Sequence, residues 1–175
     1  MKTLFFDTEV EPETGRICDL GAVRSDAAEF HSPSLSKFSE FAKGCDFICG
    51  HNALDHDLKY VSSNLRAVGV DPASCIDTLH LSALLFPKKP YHRLVKDEKL
   101  LSDELNNPRN DAIKARDLFY DEVAAWRKLP SEIAHIYHGL LSATREFGAF
   151  FRWLKASGEG VRFCSRAGAA DCSGV

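Results

Sequence analysis

The 175-residue chain carries 22 Lys and Arg against 25 Asp and Glu, a formal net charge of -3, and is 45% hydrophobic and 27% charged. Such a composition excludes a disordered, collagen-like or membrane-embedded chain and fits one domain able to bury about 70% of its unfolded surface. A net negative charge provides no global attraction for polyanions, so a nucleic-acid partner needs a local basic surface or bridging cations.

In chain order, Met1 to Asp7 is apolar and aromatic, and Ile17 to Arg24 is strand-like across a turn at Gly15, which predicts an opening β-hairpin. Ala28 to Ser32 adds a candidate third strand. A short helix starts at Ser34, carries Leu35, Phe38 and Phe41 on one face and ends at Gly44. Phe47-Ile48-Cys49 is a short buried strand that stops at Gly50-His51-Asn52, and Leu54, Leu58, Val61 and Leu65 then recur at helical spacing before Gly69. Cys75-Ile76-Asp77 and Thr78 to Leu85 form a further strand and helix, closed by Pro87 and Pro90. Asp111 to Trp126 and Ser131 to Leu154 are amphipathic helices, the second carrying the aromatic stripe Phe147, Phe150, Phe151 and Trp153, for which docking on the core is expected. This order predicts an α/β fold, a mixed sheet flanked by helices, over residues 1–156. Ser157 to Val175 shifts to Gly, Ala, Ser and Arg without periodicity and reads as an unstructured tail or a truncated linker.

The six cysteines form no C-x-x-C pair, the opening Met1-Lys2-Thr3 leaves no room for a signal peptide, and no apolar stretch is long enough to span a bilayer. A reducing cytoplasm and no membrane association are expected. The basic run Lys88-Lys89 through His92, Arg93 and Lys96 is the candidate contact for nucleic acid, with a solvated lysine-rich loop as its alternative.

Chemistry concentrates in Phe5-Phe6-Asp7-Thr8-Glu9. Alternate positions of a strand share a face, so Asp7 and Glu9 project together at its exit. Two close carboxylates repel, and a hard divalent cation is the usual remedy. Asp57 and Asp111 each stand at a helix start; individually each is explained as a cap at the positive end of the helix dipole. Asp55, two residues from Asp57, is a competing ligand.

In combination, Phe6-Asp7-Thr8-Glu9, Gly50-His51-Asn52-Ala53-Leu54-Asp55-His56-Asp57 and Asn106-Asn107-Pro108-Arg109-Asn110-Asp111 resemble, in order, the three motifs of DEDD-type, DnaQ-like 3′-to-5′ exonucleases of the ribonuclease H-like superfamily. Asp77-Thr78-Leu79 and Tyr91-His92-Arg93-Leu94 resemble the spacer between the last two motifs. The segments Pro90-Tyr91-His92 and Asn106-Asn107-Pro108 are similar to amino-terminal exonuclease-like domains of some bacterial RecQ-type helicases, which implies a covalently following helicase as partner.

The resemblance implies a ribonuclease H-like fold and two Mg²⁺ or Mn²⁺ ions held by Asp7, Glu9, Asp57 and Asp111. It implies hydrolysis at the 3′ end of single-stranded DNA, with RNA as a second candidate substrate, and substrate contacts from Thr8, His51, Asn52 and His92. His51 has the alternative of merely satisfying loop backbone groups. The chain departs from the pattern in one place. The family's general base is a His five residues, or a Tyr four residues, before the last Asp; those positions here are Asn106 and Asn107. An amide cannot accept a proton from water at neutral pH. Asn106 therefore stands at the catalytic position without the usual chemistry, His92 and His56 being the nearest substitutes in sequence. The alternative function is a catalytically weak exonuclease-fold module that binds nucleic acid or a protein.

Overall fold

The computed structural model describes residues 1–94 and 107–159. Its centre is β1 (Thr3–Val10), which pairs antiparallel with β2 (Ile17–Arg24); β2 pairs antiparallel with β3 (Glu29–His31). On the other side, β4 (Phe47–Gly50) runs parallel to β1, and β5 (Cys75–Asp77) parallel to β4. The sheet order is β3-β2-β1-β4-β5. This mixed sheet with helices on both faces is an α/β fold, consistent with a ribonuclease H-like arrangement. The helices are α1 (Leu35–Ala42), α2 (Leu58–Ala67), α3 (Thr78–Leu85), α4 (Pro108–Arg127), α5 (Ser131–Leu141) and α6 (Gly148–Ala156).

Side-chain alternation along β1 sorts the core into two layers. Leu4 and Phe6 point into a cluster with Phe38 of α1 and Val61 and Leu65 of α2. Phe5 points the other way, into Phe119 and Trp126 of α4 and Phe150 and Trp153 of α6. Full burial of each such ring contributes roughly 1.5–3 kcal/mol, so the layers hold the sheet from both sides. The aromatic stripe packs on the core as expected: Phe150, Phe151 and Trp153 are buried, Phe147 lies against them, and the Trp153 indole N–H donates to Thr3 Oγ1 at 3.1 Å.

Three element boundaries differ from those read in the sequence. The helix after β4 begins at Leu58 rather than Leu54, because residues 51–57 form turns tied down by Asp77. The segment 131–154 is two helices, α5 and α6. Thr144 Oγ1 caps back onto the Leu141 carbonyl and the Gly148 N–H onto Thr144 O, which turns the chain. The long helix before them starts at Pro108, three residues ahead of Asp111. Asn107 is its N-cap, its side-chain oxygen accepting from the Arg109 N–H, and proline occupies the first turn, where no N–H is needed. At the carboxyl end, α6 is followed by Glu159, whose carboxylate pairs with Arg127. The tail reading beyond it falls on residues 160–175, outside the described residues.

Gly21 is the tightest join in the fold. It lies opposite Asp7 in the β1–β2 register, and a methyl group there would fall 1.9 Å from Arg109 N and 2.1 Å from the Pro108 carbonyl carbon. The start of α4 thus rests directly on the backbone of β2. Gly21→Ala is expected to push the start of α4 off the sheet and to destabilise the domain by about 1–3 kcal/mol, the usual range for overpacking, measurable by urea unfolding.

One core group is chemically out of place. Glu122 of α4 is fully buried, and neither carboxylate oxygen has a hydrogen-bond partner among the described residues. Burial, aided by the charge of Asp77, pushes its pKa up to about 10, so the side chain is a neutral acid at pH 7. Cys18, Cys45, Cys49 and Cys75 are free thiols, and burial raises Cys49 and Cys75 well above the ordinary thiol range. No helix among the described residues is long and apolar enough to cross a membrane.

Candidate active site

The site follows from where β1 loses its neighbour. β4 pairs with β1 only from Thr3↔Phe47 to Phe5↔Cys49, while β1 itself continues to Val10. From Phe6 onward one edge of β1 faces the turns of residues 51–57 instead of a strand, and a cleft of about 340 Å³ opens there. Asp7, Thr8, Glu9, His51, Asn52, His56, Asp57, Arg93, Leu94 and Asp111 form its walls.

Strand parity delivers the acids to this cleft from both faces of the sheet. Asp7 and Glu9 share the side of Phe5, which is covered by α4, and there they meet Asp111 in the first turn of that helix. Carboxylate oxygens of Asp7, Glu9 and Asp111 lie within 4.8 Å of one another. Lys114, one turn along α4, pairs with Asp111 at 3.3 Å. Three hard oxygen donors at this spacing suit a divalent cation such as Mg²⁺ or Mn²⁺.

Thr8 points the other way, toward α2, and meets Asp57. The Asp57 carboxylate is 1% exposed, and its Oδ1 accepts from the Thr8 N–H at 2.9 Å and the Thr8 hydroxyl at 2.5 Å. It therefore takes the place of a missing strand partner, and it makes no side-chain cap on α2. The capping explanation fails for Asp57. Its oxygens stand outside the trio within 4.8 Å, although the residue walls the same cleft. Asp55 points away: Arg145 holds it at 3.1 Å, and His80 approaches at 4.0 Å.

The four expected substrate contacts divide. Thr8, His51 and Asn52 line the cleft; His92 does not, its Nδ1 lying 2.9 Å from Ser82 Oγ on α3. His51 Nδ1 meets Thr78 Oγ1 at 2.9 Å, and burial lowers the pKa of its imidazole, favouring the neutral ring. His56 titrates higher than an ordinary histidine, chiefly because it hydrogen-bonds the Asp57 carboxylate. Asn52 sits in the left-handed region at φ 63°. Asn106 lies outside the described residues, as does Lys96 of the basic run. Of that run, Arg93 reaches the cleft wall, whereas Lys89 folds over the Phe86 ring at 4.2 Å.

Two further residues support the site without lining it. Gly21 lets α4 bring Asp111 down onto Asp7. Asp77, fully buried at the end of β5, accepts from the N–H groups of Asn52 and Leu54 at 2.9 and 3.0 Å and from Leu79 at 2.9 Å. That single carboxylate fixes the turns that form one wall of the cleft and also caps α3. In the sequence Asp77-Thr78-Leu79 stands out as a strand end and as part of the motif spacer, neither of which shows that its carboxylate holds the turns of residues 51–57. No protein-family model, curated protein or solved structure matches this chain.

Proposed function

We propose that this domain is a metal-dependent 3′-to-5′ exonuclease that hydrolyses phosphodiester bonds at the 3′ end of single-stranded DNA, RNA being a second candidate. The observation that carries the reading is the meeting of Asp7, Glu9 and Asp111 within 4.8 Å in a cleft whose opposite wall is the buried Asp57. Asp7, Glu9, Asp57 and Asp111 would hold the two Mg²⁺ or Mn²⁺ ions, with the trio of Asp7, Glu9 and Asp111 supplying the oxygens that already lie within 4.8 Å of one another. The ions would supply charge neutralisation at the phosphate and acidify a water. The protein's own part is positional. Thr8 fixes Asp57, Asp77 fixes the loop of His51 and Asn52, and Arg93 offers a cation to the strand backbone. A reducing cytoplasm suits the free thiols, and a covalently following helicase remains part of the proposal.

A second reading, a domain that grips a 3′ end with little turnover, is favoured by the pair of asparagines before Asp111. Asn107 is occupied as the cap of α4, so it supplies no base. The deciding assay is release of a labelled 3′ nucleotide in Mg²⁺ and in Mn²⁺, with and without chelator. Asn106→His is expected to raise the rate by about 100-fold to 10,000-fold, the usual worth of general-base help, while Asn106→Ala leaves it near wild type. An inactive Asn106→Ala protein of normal stability would instead make the asparagine a working residue.

A further inference from the structure

A second cleft, of about 680 Å³, lies on the other side of the start of α2. His56 and Asp57 wall the acidic cleft, and the next two residues, Leu58 and Lys59, wall this one. Its chemistry is reversed. Lys59 and Arg66 reach it from α2, Arg145 from the turn between α5 and α6, and Arg152 from α6, and no carboxylate belongs to its lining.

Four cations on one concavity repel one another unless anions sit among them. Here only Arg145 has an acidic partner, Asp55; among the described residues Lys59, Arg66 and Arg152 make no ion pair with a carboxylate. The two arginines on the far wall are nonetheless held in place. Arg145 donates to the Leu54 carbonyl and Arg152 to the Ala73 carbonyl, each at 2.6 Å, which leaves further guanidinium N–H groups of each for a ligand. Lys59 and Arg66 stand two helical turns apart on α2, about 10 Å along its axis, with Ser62 between them on the same face. The result is an elongated basic groove in a chain of net charge -3.

We infer that this groove binds the phosphate backbone of single-stranded nucleic acid, holding the strand upstream of the 3′ end while that end lies in the acidic cleft. The inference rests on the exonuclease reading for the identity of the polyanion, but not for the existence of the groove. The groove is a basic surface separate from the Lys88–Lys96 run, on the face shared by α2 and α6. Extended phosphodiester, rather than a single phosphate, matches the length of the groove and its spaced cations.

The test separates binding from chemistry. A fluorescent 20-mer of deoxythymidine is titrated in chelator with wild type and with the Lys59→Glu, Arg66→Glu, Arg152→Glu triple variant across a salt series. Each protein is also assayed with Mn²⁺ on the p-nitrophenyl ester of thymidine 5′-monophosphate, which is too small to reach the groove. The variant is expected to bind the 20-mer about tenfold or more weakly and to flatten the slope of log K against log salt by about 2, as for three lost phosphate contacts. Hydrolysis of the small ester is expected to be unchanged, which also reports an intact fold. Equal affinity and slope in the two proteins would overturn the inference, as would wild-type binding of a 4-mer as tight as the 20-mer, which would mark a site for a small anion. Absence of ester hydrolysis in wild type would count against the exonuclease reading and leave the groove to be judged by the 20-mer alone.

Discussion

Asp7→Ala is expected to lose essentially all divalent-dependent release of 3′ nucleotides, a fall of about a thousandfold or more if the ion's charge neutralisation is worth several kcal/mol. Asp7 is the residue on which the site turns. Its position on β1 opposite Gly21 puts it under the start of α4, and its oxygens lie within 4.8 Å of those of both Glu9 and Asp111. The same variant has a readout independent of turnover. A ligand that binds only the folded state raises stability by RT ln(1 + [L]/Kd), so Mn²⁺ should raise the melting temperature of wild type and not that of Asp7→Ala. Equal Mn²⁺ shifts in the two proteins would remove Asp7 from any metal site. Cleavage by Asp7→Ala at the wild-type rate would mean that the activity belongs to another site or another protein.

The largest stability effect is expected at Glu122. Its folded-state pKa of about 10 lies above the ordinary value of 4.5, so the folded protein keeps a proton that the unfolded chain releases. Below pH 4.5 both states are protonated and there is no penalty. As pH rises from there toward 10, the unfolded state is increasingly favoured, and stability falls by about 1.4 kcal/mol per unit. By pH 7 the loss is about 3 kcal/mol, whatever the folded value, provided it stays above 7. Glu122→Gln keeps the shape and removes the ionisation, so it should be more stable than wild type at pH 7 by about that amount. For a chain of this size each kcal/mol moves the melting temperature by roughly 2–4 °C. The gain should shrink to nothing near pH 4.5. A variant less stable than wild type at pH 7 would show that the carboxyl has a partner or is ionised in the fold.

Much of the architecture can be read from local pattern because the elements are short and strongly patterned. The apolar, aromatic run from Met1 to Asp7 gives the strand, the two-residue repeat of a strand gives the shared side of Asp7 and Glu9, and helical spacing from Leu58 to Leu65 gives α2. Errors arise where a distant residue decides. Leu54 fits the helical period of α2, but its N–H is held by Asp77, 23 residues on, which keeps residues 51–57 out of the helix. Leu140, Ala143 and Phe147 keep helical spacing across the turn between α5 and α6, so the period does not mark it; the Thr144 hydroxyl bonding back to the Leu141 carbonyl does. In the site, the sequence singles out four acids, of which Asp7, Glu9 and Asp111 come within 4.8 Å of one another and Asp57 stands apart. It could not reveal that Asp57 arrives from the opposite face of the sheet, since that depends on β4 ending before β1 does. Nor could it reveal the basic groove, whose cations come from three separate stretches of chain.

The hydrogen bond from Trp153 to Thr3 joins positions 150 residues apart, and that separation sets a timetable for synthesis. At about 5–20 residues per second, the first strand leaves the ribosome roughly 8–30 s before the helix that closes over it. Throughout that interval Phe5, the rest of its apolar layer and the acidic strand end are translated but lack their last cover. The nascent domain must therefore wait, sheet half-dressed, for its final aromatic turn before it can complete its core.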